Sequence, residues 1–361
     1  MGGAEQSLLE VLRLVDTAKI NAALACPDGA LMREARSQGT RVFAVNLGQM
    51  RGRRNLMSVP FKLIRGVFQL IQIIRREKMD IVHSNTMRAS IYSALAAHLS
   101  GAKFVWHVHD LYRSSPYLWL MSRLAHAILT NSQAAARLMP SIAQSKTTVI
   151  YHGVTMPNFA PSAPARENVR SELGVQSDEL LIGNVGWVAP WKGQQEFIEV
   201  ARLIARQCPQ ARFVLVGAAS DERYAVYEQD LRALGARLLG DRLIFTGARS
   251  DVPAVLSALD LLLHCAKREP FGRVLVEAMA TQVPVIAFSG GGPDEIIAHG
   301  ATGLLVDAGD VAAMARAALE LLAEPDRRLA MGVAGRERAA SVFEPVINVR
   351  RIEDRYLSLV T

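Results

Sequence analysis

The chain has 361 residues, half of them hydrophobic and 21% charged, which is too long for one ordinary core and suits two globular domains. Lysine and arginine total 41 against 34 acidic residues, and this net +7 favours an anionic partner without naming it. No run of about eighteen apolar residues occurs, which excludes a membrane-spanning helix, and the N-terminus lacks a basic-then-apolar leader, which reads against secretion.

The chain opens on Gly2-Gly3-Ala4-Glu5, a strand-to-helix glycine turn, with a helix expected over 6–15. A strand is expected before such a turn, so either the chain begins late or the domain lacks a central strand. Strands are expected next at 21–26 and 41–46. Positive charge then concentrates over 51–78, in Arg51, Arg53, Arg54, Lys62, Arg65, Arg75, Arg76 and Lys78. Inside that stretch Phe61, Ile64, Val67, Phe68, Ile71 and Ile74 recur at helical spacing. One reading is a core helix with solvated basic ends. The other is a basic amphipathic element resting on an anionic membrane.

Further strands are expected at 80–84, 103–107, 127–130 and 148–151. His107 and His109 stand two apart on one of them, so period-two geometry puts both rings on one face. Pro157, Pro161 and Pro164 interrupt a polar stretch over 156–178, which reads as a linker. Strands then follow at 180–185, 212–216, 242–245, 261–265, 284–288 and 303–306, with amphipathic helices between them. The tail over 343–360 is helical. This alternation predicts an α/β chain with two doubly wound parallel sheets, and places chemistry in the turns beyond the strand ends. The domains expected are 1–155, the linker 156–178, a second domain over 179–342, and a tail over 343–361 that packs back on the first.

The most informative stretch is Lys267-Arg-Glu-Pro-Phe-Gly-Arg-Val-Leu-Val-Glu277. Glu269 lies on the loop leaving a strand and Glu277 inside the helix that follows. That arrangement aims carboxylates at a hydroxyl-rich ligand while the helix start faces an anion. Lys192 opens a helix over 194–206, where a cation opposes the dipole and so calls for another purpose. Gly2, Gly3, Gly290, Gly291 and Gly292 suit loops where backbone approaches phosphate or sugar closely. Cys26, Cys208 and Cys265 have no metal or redox spacing and read as buried thiols of a reducing compartment. There is no G-x-G-x-x-G, no P-loop and no Asp-x-Asp, so no cofactor, divalent metal or nucleic acid is expected.

These residues resemble the retaining glycosyltransferases of family 4, which have the GT-B architecture of two Rossmann-like domains facing a cleft. The resemblance spans nearly the whole chain: Gly2-Gly3-Ala4-Glu5, His107-Val-His109-Asp110, Asn131-Ser132, Gly186 with Lys192-Gly193, Glu269-Pro-Phe-Gly272, Glu277-Ala-Met-Ala280 and Gly290-Gly-Gly-Pro-Asp-Glu295.

It implies a donor site for a nucleoside diphosphate sugar in the second domain and an acceptor site in the first. Glu269, His109 and Lys192 would be catalytic: Glu269 holding donor-sugar hydroxyls, Lys192 pairing with the diphosphate, His109 near the reacting centre in polar contact or proton handling. Glu277 would bind the ribose. Gly186, Phe271, Gly272, Arg273, Gly2, Gly3, Gly291 and Gly292 would complete donor binding, with no metal. One departure is Trp187, where the family usually carries arginine, with Arg273 or Arg268 as replacement cations. The implied acceptor is a lipid-linked or surface-polysaccharide precursor, handled in the cytoplasm at the inner membrane face. A non-enzymatic partner subunit on the same architecture, or a nucleotide-sugar epimerase, remains the alternative.

Overall fold

The computed structural model describes residues 2–47, 59–112, 114–219 and 221–361. The chain forms two compact units, Met1–Gly153 with Pro345–Thr361, and Val154–Glu344.

The first unit carries β1 (Ala23–Cys26), β2 (Arg41–Ala44), β3 (Ile81–Ser84), β4 (Lys103–Val108), β5 (Ala127–Thr130) and β6 (Thr147–Val149). Every pairing is parallel, in two ladders, β1-β2 and β3-β4-β5-β6. The strand expected before Gly2 has no counterpart among the described residues, and no strand there joins the two ladders. Instead the helix Gly3–Leu14 begins at once, with the Gly2 amide donating to Glu5 Oε2 at 2.8 Å. In β4, Phe104, Val105, Trp106 and Val108 are all fully buried, the continuous apolar run of a parallel strand covered on both faces. The helix Pro345–Val360 belongs to this unit. Its Ile352 packs with Val105, Leu129 and Ile150, and its Glu353 accepts from the Asp16 amide at 2.6 Å.

The basic stretch resolves into the helix Val59–Arg76. Its apolar residues make two stripes, each with i, i+3, i+7 spacing. Val67, Leu70 and Ile74 are buried in the core, and Gly66 is pressed so close that a Cβ there would lie 2.6 Å from the Tyr92 ring. Phe61, Ile64 and Phe68 point outward, 71%, 67% and 57% exposed. The core-helix reading therefore holds for one stripe only. Arg51, Arg53 and Arg54 lie outside the described residues.

The second unit carries β7 (Leu180–Val185), β8 (Ala211–Val216), β9 (Leu243–Gly247), β10 (Leu261–His264), β11 (Val285–Phe288) and β12 (Leu304–Val306). They form one parallel sheet ordered β12-β11-β10-β7-β8-β9. The order reverses between β7 and β10, and a doubly wound sheet opens its ligand crevice at such a reversal, beyond the carboxyl ends of the two strands. Asn184 ties those ends together, its Nδ2 donating to the Leu263 carbonyl at 2.8 Å.

The stretch 156–178 is not a free linker. Its helix Ala163–Glu172 carries Arg166 and Arg170, which hold Asp260 at 2.7 and 3.0 Å just before β10. With one guanidinium on each carboxylate oxygen, that clamp makes the proline-rich segment part of the second unit.

Candidate active site

In the second unit, β7 runs out through Gly186 to a single turn, Pro190–Lys192, and then to the helix Gln194–Ala205. Gly193 joins the two with φ of +75°, and a Cβ there would lie 1.9 Å from the Cys265 carbonyl, so only glycine lets this loop sit against the end of β10. Buried Gln194 fixes the loop, its Nε2 donating to the Trp187 carbonyl at 2.8 Å. Lys192 is thereby aimed across the switch point. Its Nζ donates to Glu269 Oε2 at 2.8 Å, and His264 Nε2, at the last position of β10, lies 3.2 Å from the same oxygen.

Glu269 is 7% exposed. Burial by itself would raise its pKa. The Lys192 charge, the His264 hydrogen bond and charge, and the Lys192 hydrogen bond outweigh that and hold the carboxyl well below its usual range. It is an ionised, buried carboxylate with two donors.

Glycines Gly291 and Gly292 have a reason nearer than phosphate or sugar. A Cβ on Gly291 would lie 2.2 Å from the Glu269 carbonyl, and one on Gly292 would lie 2.2 Å from the Phe271 carbonyl. The loop after β11 therefore backs directly onto the Glu269 turn, and the Gly292 amide donates to the Glu269 carbonyl at 2.9 Å. The amides of Gly290 and Gly291 donate to Asp294 Oδ2 at 2.8 and 3.0 Å.

The turn ends at Gly272, with φ of +95°, which caps the helix Arg273–Ala280. One turn in, Glu277 is 8% exposed and accepts from Arg273 Nε at 2.8 Å. Arg273 is thus engaged with the expected ribose carboxylate. Phe271 is 2% exposed and its ring packs edge-on against Phe343 at 5.9 Å, so the core takes the side chain. Trp187 is 46% exposed, and Arg268 is an exposed cation beside Glu269.

The first unit assembles a second constellation beyond its own strand ends. Asn85 follows β3, His109 follows β4, Asn131 follows β5 and His152 follows β6. Asn85 Nδ2 donates to the Ala4 carbonyl at 2.8 Å, which turns Oδ1 toward His109 Nε2 at 2.7 Å. His109 Nε2 must then carry the proton, leaving Nδ1 to accept from His152 Nε2 at 3.1 Å. The first turn of the helix Gly3–Leu14 and His109 are therefore linked through Asn85.

The His107 ring lies tilted 4.0 Å from His109, on the same face as period two required, and 5.2 Å from His83, and its Nε2 has no hydrogen-bond partner among the described residues. His83 Nδ1 meets the Tyr356 hydroxyl. Burial lowers His83 to about 4, and His107 falls well below its ordinary value from burial and from the neighbouring rings. Burial, and after it the His83 ring, likewise push His109 down to about 3, so the ring is neutral near pH 7.

Asn85, His152 and His264 were missed by sequence reasoning. His264 was hidden inside an apolar strand, and Asn85 and His152 carry no spacing signal of their own. Their common signal was position, since each closes a parallel strand or lies within three residues of its end.

A switch-point lysine against a buried glutamate, on a six-stranded parallel sheet accompanied by a second parallel α/β unit, defines the GT-B class of glycosyltransferases. The model for glycosyl transferases group 1 matches residues 165–338, and that for glycosyltransferase family 4 matches residues 1–156. The chain belongs to this family. It is 30% identical over 245 residues to the lipopolysaccharide core biosynthesis mannosyltransferase LpsB of Rhizobium meliloti (strain 1021), covering 67% of this chain and 68% of that protein. It is 24% identical to the Escherichia coli UDP-Gal:alpha-D-GlcNAc-diphosphoundecaprenol alpha-1,3-galactosyltransferase, over 100% of this chain and 95% of that one. The solved structure of Anabaena Alr3699/HepE in complex with UDP and glucose superposes with a TM-score of 0.86 at 27% identity, covering 99% of this chain and 96% of that one. The glycosyltransferase family and the parallel two-unit α/β fold expected from sequence are both found.

Proposed function

We propose that this glycosyltransferase moves a sugar, with retention of anomeric configuration and without a metal ion, from a nucleoside diphosphate sugar to a lipid-linked or surface-polysaccharide precursor. The observation that carries the reading is the Lys192–Glu269 pair at the switch point, 2.8 Å apart. Donor binding exchanges that contact for two better-matched ones: Lys192 to the diphosphate, Glu269 to vicinal sugar hydroxyls. As the glycosidic bond breaks, the sugar becomes oxocarbenium-like and negative charge grows on the departing diphosphate, where Lys192 stabilises it. Glu269 serves as hydroxyl acceptor, with the acceptor entering on the leaving-group face. Glu277, fixed by Arg273, receives the ribose hydroxyls. Neutral His109, with Nε2 donating to Asn85 and Nδ1 accepting from His152, does not act as an acid.

A uridine nucleotide is the first donor to try, because the Anabaena protein is solved with UDP and glucose. For the acceptor, the two bacterial relatives act in lipopolysaccharide core synthesis and on a diphosphoundecaprenol-linked sugar, by their names. The outward stripe Phe61, Ile64 and Phe68, flanked by exposed Lys62 and Arg65, suits an anionic lipid surface at the inner membrane face where such acceptors are held.

The purified protein should release nucleoside diphosphate slowly from one nucleotide sugar of a panel, and faster when lipid-linked acceptor is added. Silence with every donor would favour the reading as a partner subunit, for which Trp187 in the arginine position is the motivating residue. Conversion of donor without acceptor to an epimeric sugar would favour an epimerase.

A further inference from the structure

Two of the four tryptophans in the chain, Trp187 and Trp191, stand on the loop after β7 that carries Lys192, and both face solvent, 46% and 53% exposed. Large rings gathered at a surface mark a place of binding. The loop itself is held in place. Val188 pairs with Ala219 as a parallel bridge, and its amide donates to the Ala218 carbonyl at 3.1 Å, so the loops after β7 and β8 run side by side. Gly217 permits this, since a Cβ there would lie 1.9 Å from the Gly186 carbonyl. The second loop turns through Glu222–Tyr224 into the helix Ala225–Leu239, and the Tyr224 ring meets Trp191 edge-on at 5.3 Å. That contact fixes the orientation of the exposed indole.

Beside the aromatic pair lies an open cavity of about 500 Å³, whose lining includes Ala219, Glu222, Glu228, Gln229 and Arg232. Its charges discriminate between ligands. Arg232 pairs with Glu228 at 2.9 Å and neighbouring Arg223 with Asp221 at 2.6 Å, so both cations are committed, whereas Glu222 forms no ion pair among the described residues. A phosphate or an anionic lipid would meet three carboxylates against two engaged guanidinium groups. A neutral sugar meets what it needs: an indole face for the positively polarised C–H groups of a pyranose ring, and planar carboxylate and amide groups for its vicinal hydroxyls.

We propose that Trp191 and Tyr224, with Glu222 and Gln229, form a second sugar site that holds pyranose units of an oligosaccharide acceptor beyond the unit that reacts. The site rests on the proposed function for its purpose, since it extends acceptor binding along the loop that bears Lys192. Binding itself needs neither donor nor turnover, so the two readings fail separately.

Protein labelled with 5-fluorotryptophan reads the site directly by fluorine NMR, with the Trp191 resonance assigned by its loss in Trp191→Phe. The probes are neutral tri- and tetrasaccharides of glucose, galactose, mannose or N-acetylglucosamine, titrated into the millimolar range without nucleotide. At least one should shift the Trp191 resonance saturably. Measured by calorimetry, Trp191→Ala should weaken its binding about tenfold. Glu222→Ala, an exposed change on the other loop that leaves the Lys192 turn untouched, should weaken it about fivefold. No shift with any oligosaccharide, or unchanged affinity in both variants, overturns the proposal. A Trp191 shift with uridine diphosphate and none with oligosaccharides also overturns it, by assigning the rings to the nucleotide. Absence of transfer from every nucleotide sugar would remove the proposed function, with the oligosaccharide titration still deciding this site.

Discussion

Lys192 and Glu269 are 77 positions apart in the chain and 2.8 Å apart in the fold. They meet because β7 and β10 are neighbours at the point where the sheet order reverses. Removing the cation leaves Glu269 buried with His264 as its nearest donor. Lys192→Met should therefore lose about 3 kcal/mol of stability near neutral pH, and Lys192→Met/Glu269→Gln should regain most of it. Urea unfolding of the three proteins checks this, and independent, additive losses would contradict it.

The Glu269 turn is held from behind by glycines. A Cβ on Gly291, 2.2 Å from the Glu269 carbonyl, can be fitted only by moving backbone. Gly291→Ala should lose about 2 kcal/mol and lower kcat/KM by about tenfold or more, because the turn carrying the carboxylate shifts. Ala at Gly300, where nothing lies within 4 Å, is a control for substitution elsewhere, though φ of +81° makes it mildly strained. Equal effects at both positions would show that the close approach is unimportant.

The histidine cluster of the first unit sets a pH limit. His83 and His109 have folded values of about 4 and about 3, and His107 is also well below its ordinary value. An unfolded histidine titrates near pH 6.5, so the unfolded chain binds the extra protons. The stability these neutral rings contribute is complete above about pH 6.5 and is lost as the pH falls toward the folded values, by up to about 1.4 kcal/mol per pH unit for each ring. Melting temperatures measured between about pH 7.5 and 5 should drop, and the drop should be smaller in His107→Leu. A flat profile would contradict the burial of neutral rings.

The outward stripe of the helix Val59–Arg76 makes a separable prediction. Ser at Phe61, Ile64 and Phe68 should abolish most sedimentation with anionic vesicles while leaving donor hydrolysis unchanged. Glu at Lys62 and Arg65 should weaken binding to anionic vesicles by about 1 kcal/mol for each lost positive charge, and scarcely affect neutral ones. Negligible binding of the wild type to both kinds of vesicle would remove the membrane from the account.

Much of this was legible in the sequence. Parallel strands buried on both faces wrote themselves as short apolar runs, and Pro-Phe-Gly between two glutamates located the donor turn. The linker was misread because Pro157, Pro161 and Pro164 signal irregular backbone, whereas the tie of Arg166 and Arg170 to Asp260 is long-range and leaves no local pattern. The same reason hid Asn85, His152 and His264, whose partners come from other strands. A motif shows which residues recur but not which way each points, and only packing sends the Phe271 ring to the core. The amphipathic helix shows a further limit: periodicity revealed apolar spacing, and only packing told the buried stripe from the exposed one.

The central claim is that Lys192 receives the donor diphosphate. The affinity of the nucleoside diphosphate that binds the wild type, compared with that for Lys192→Met, tests it most directly. A charge-assisted contact of this kind predicts a loss of about thirtyfold, near 2 kcal/mol. Equal affinity in the two proteins would contradict the account.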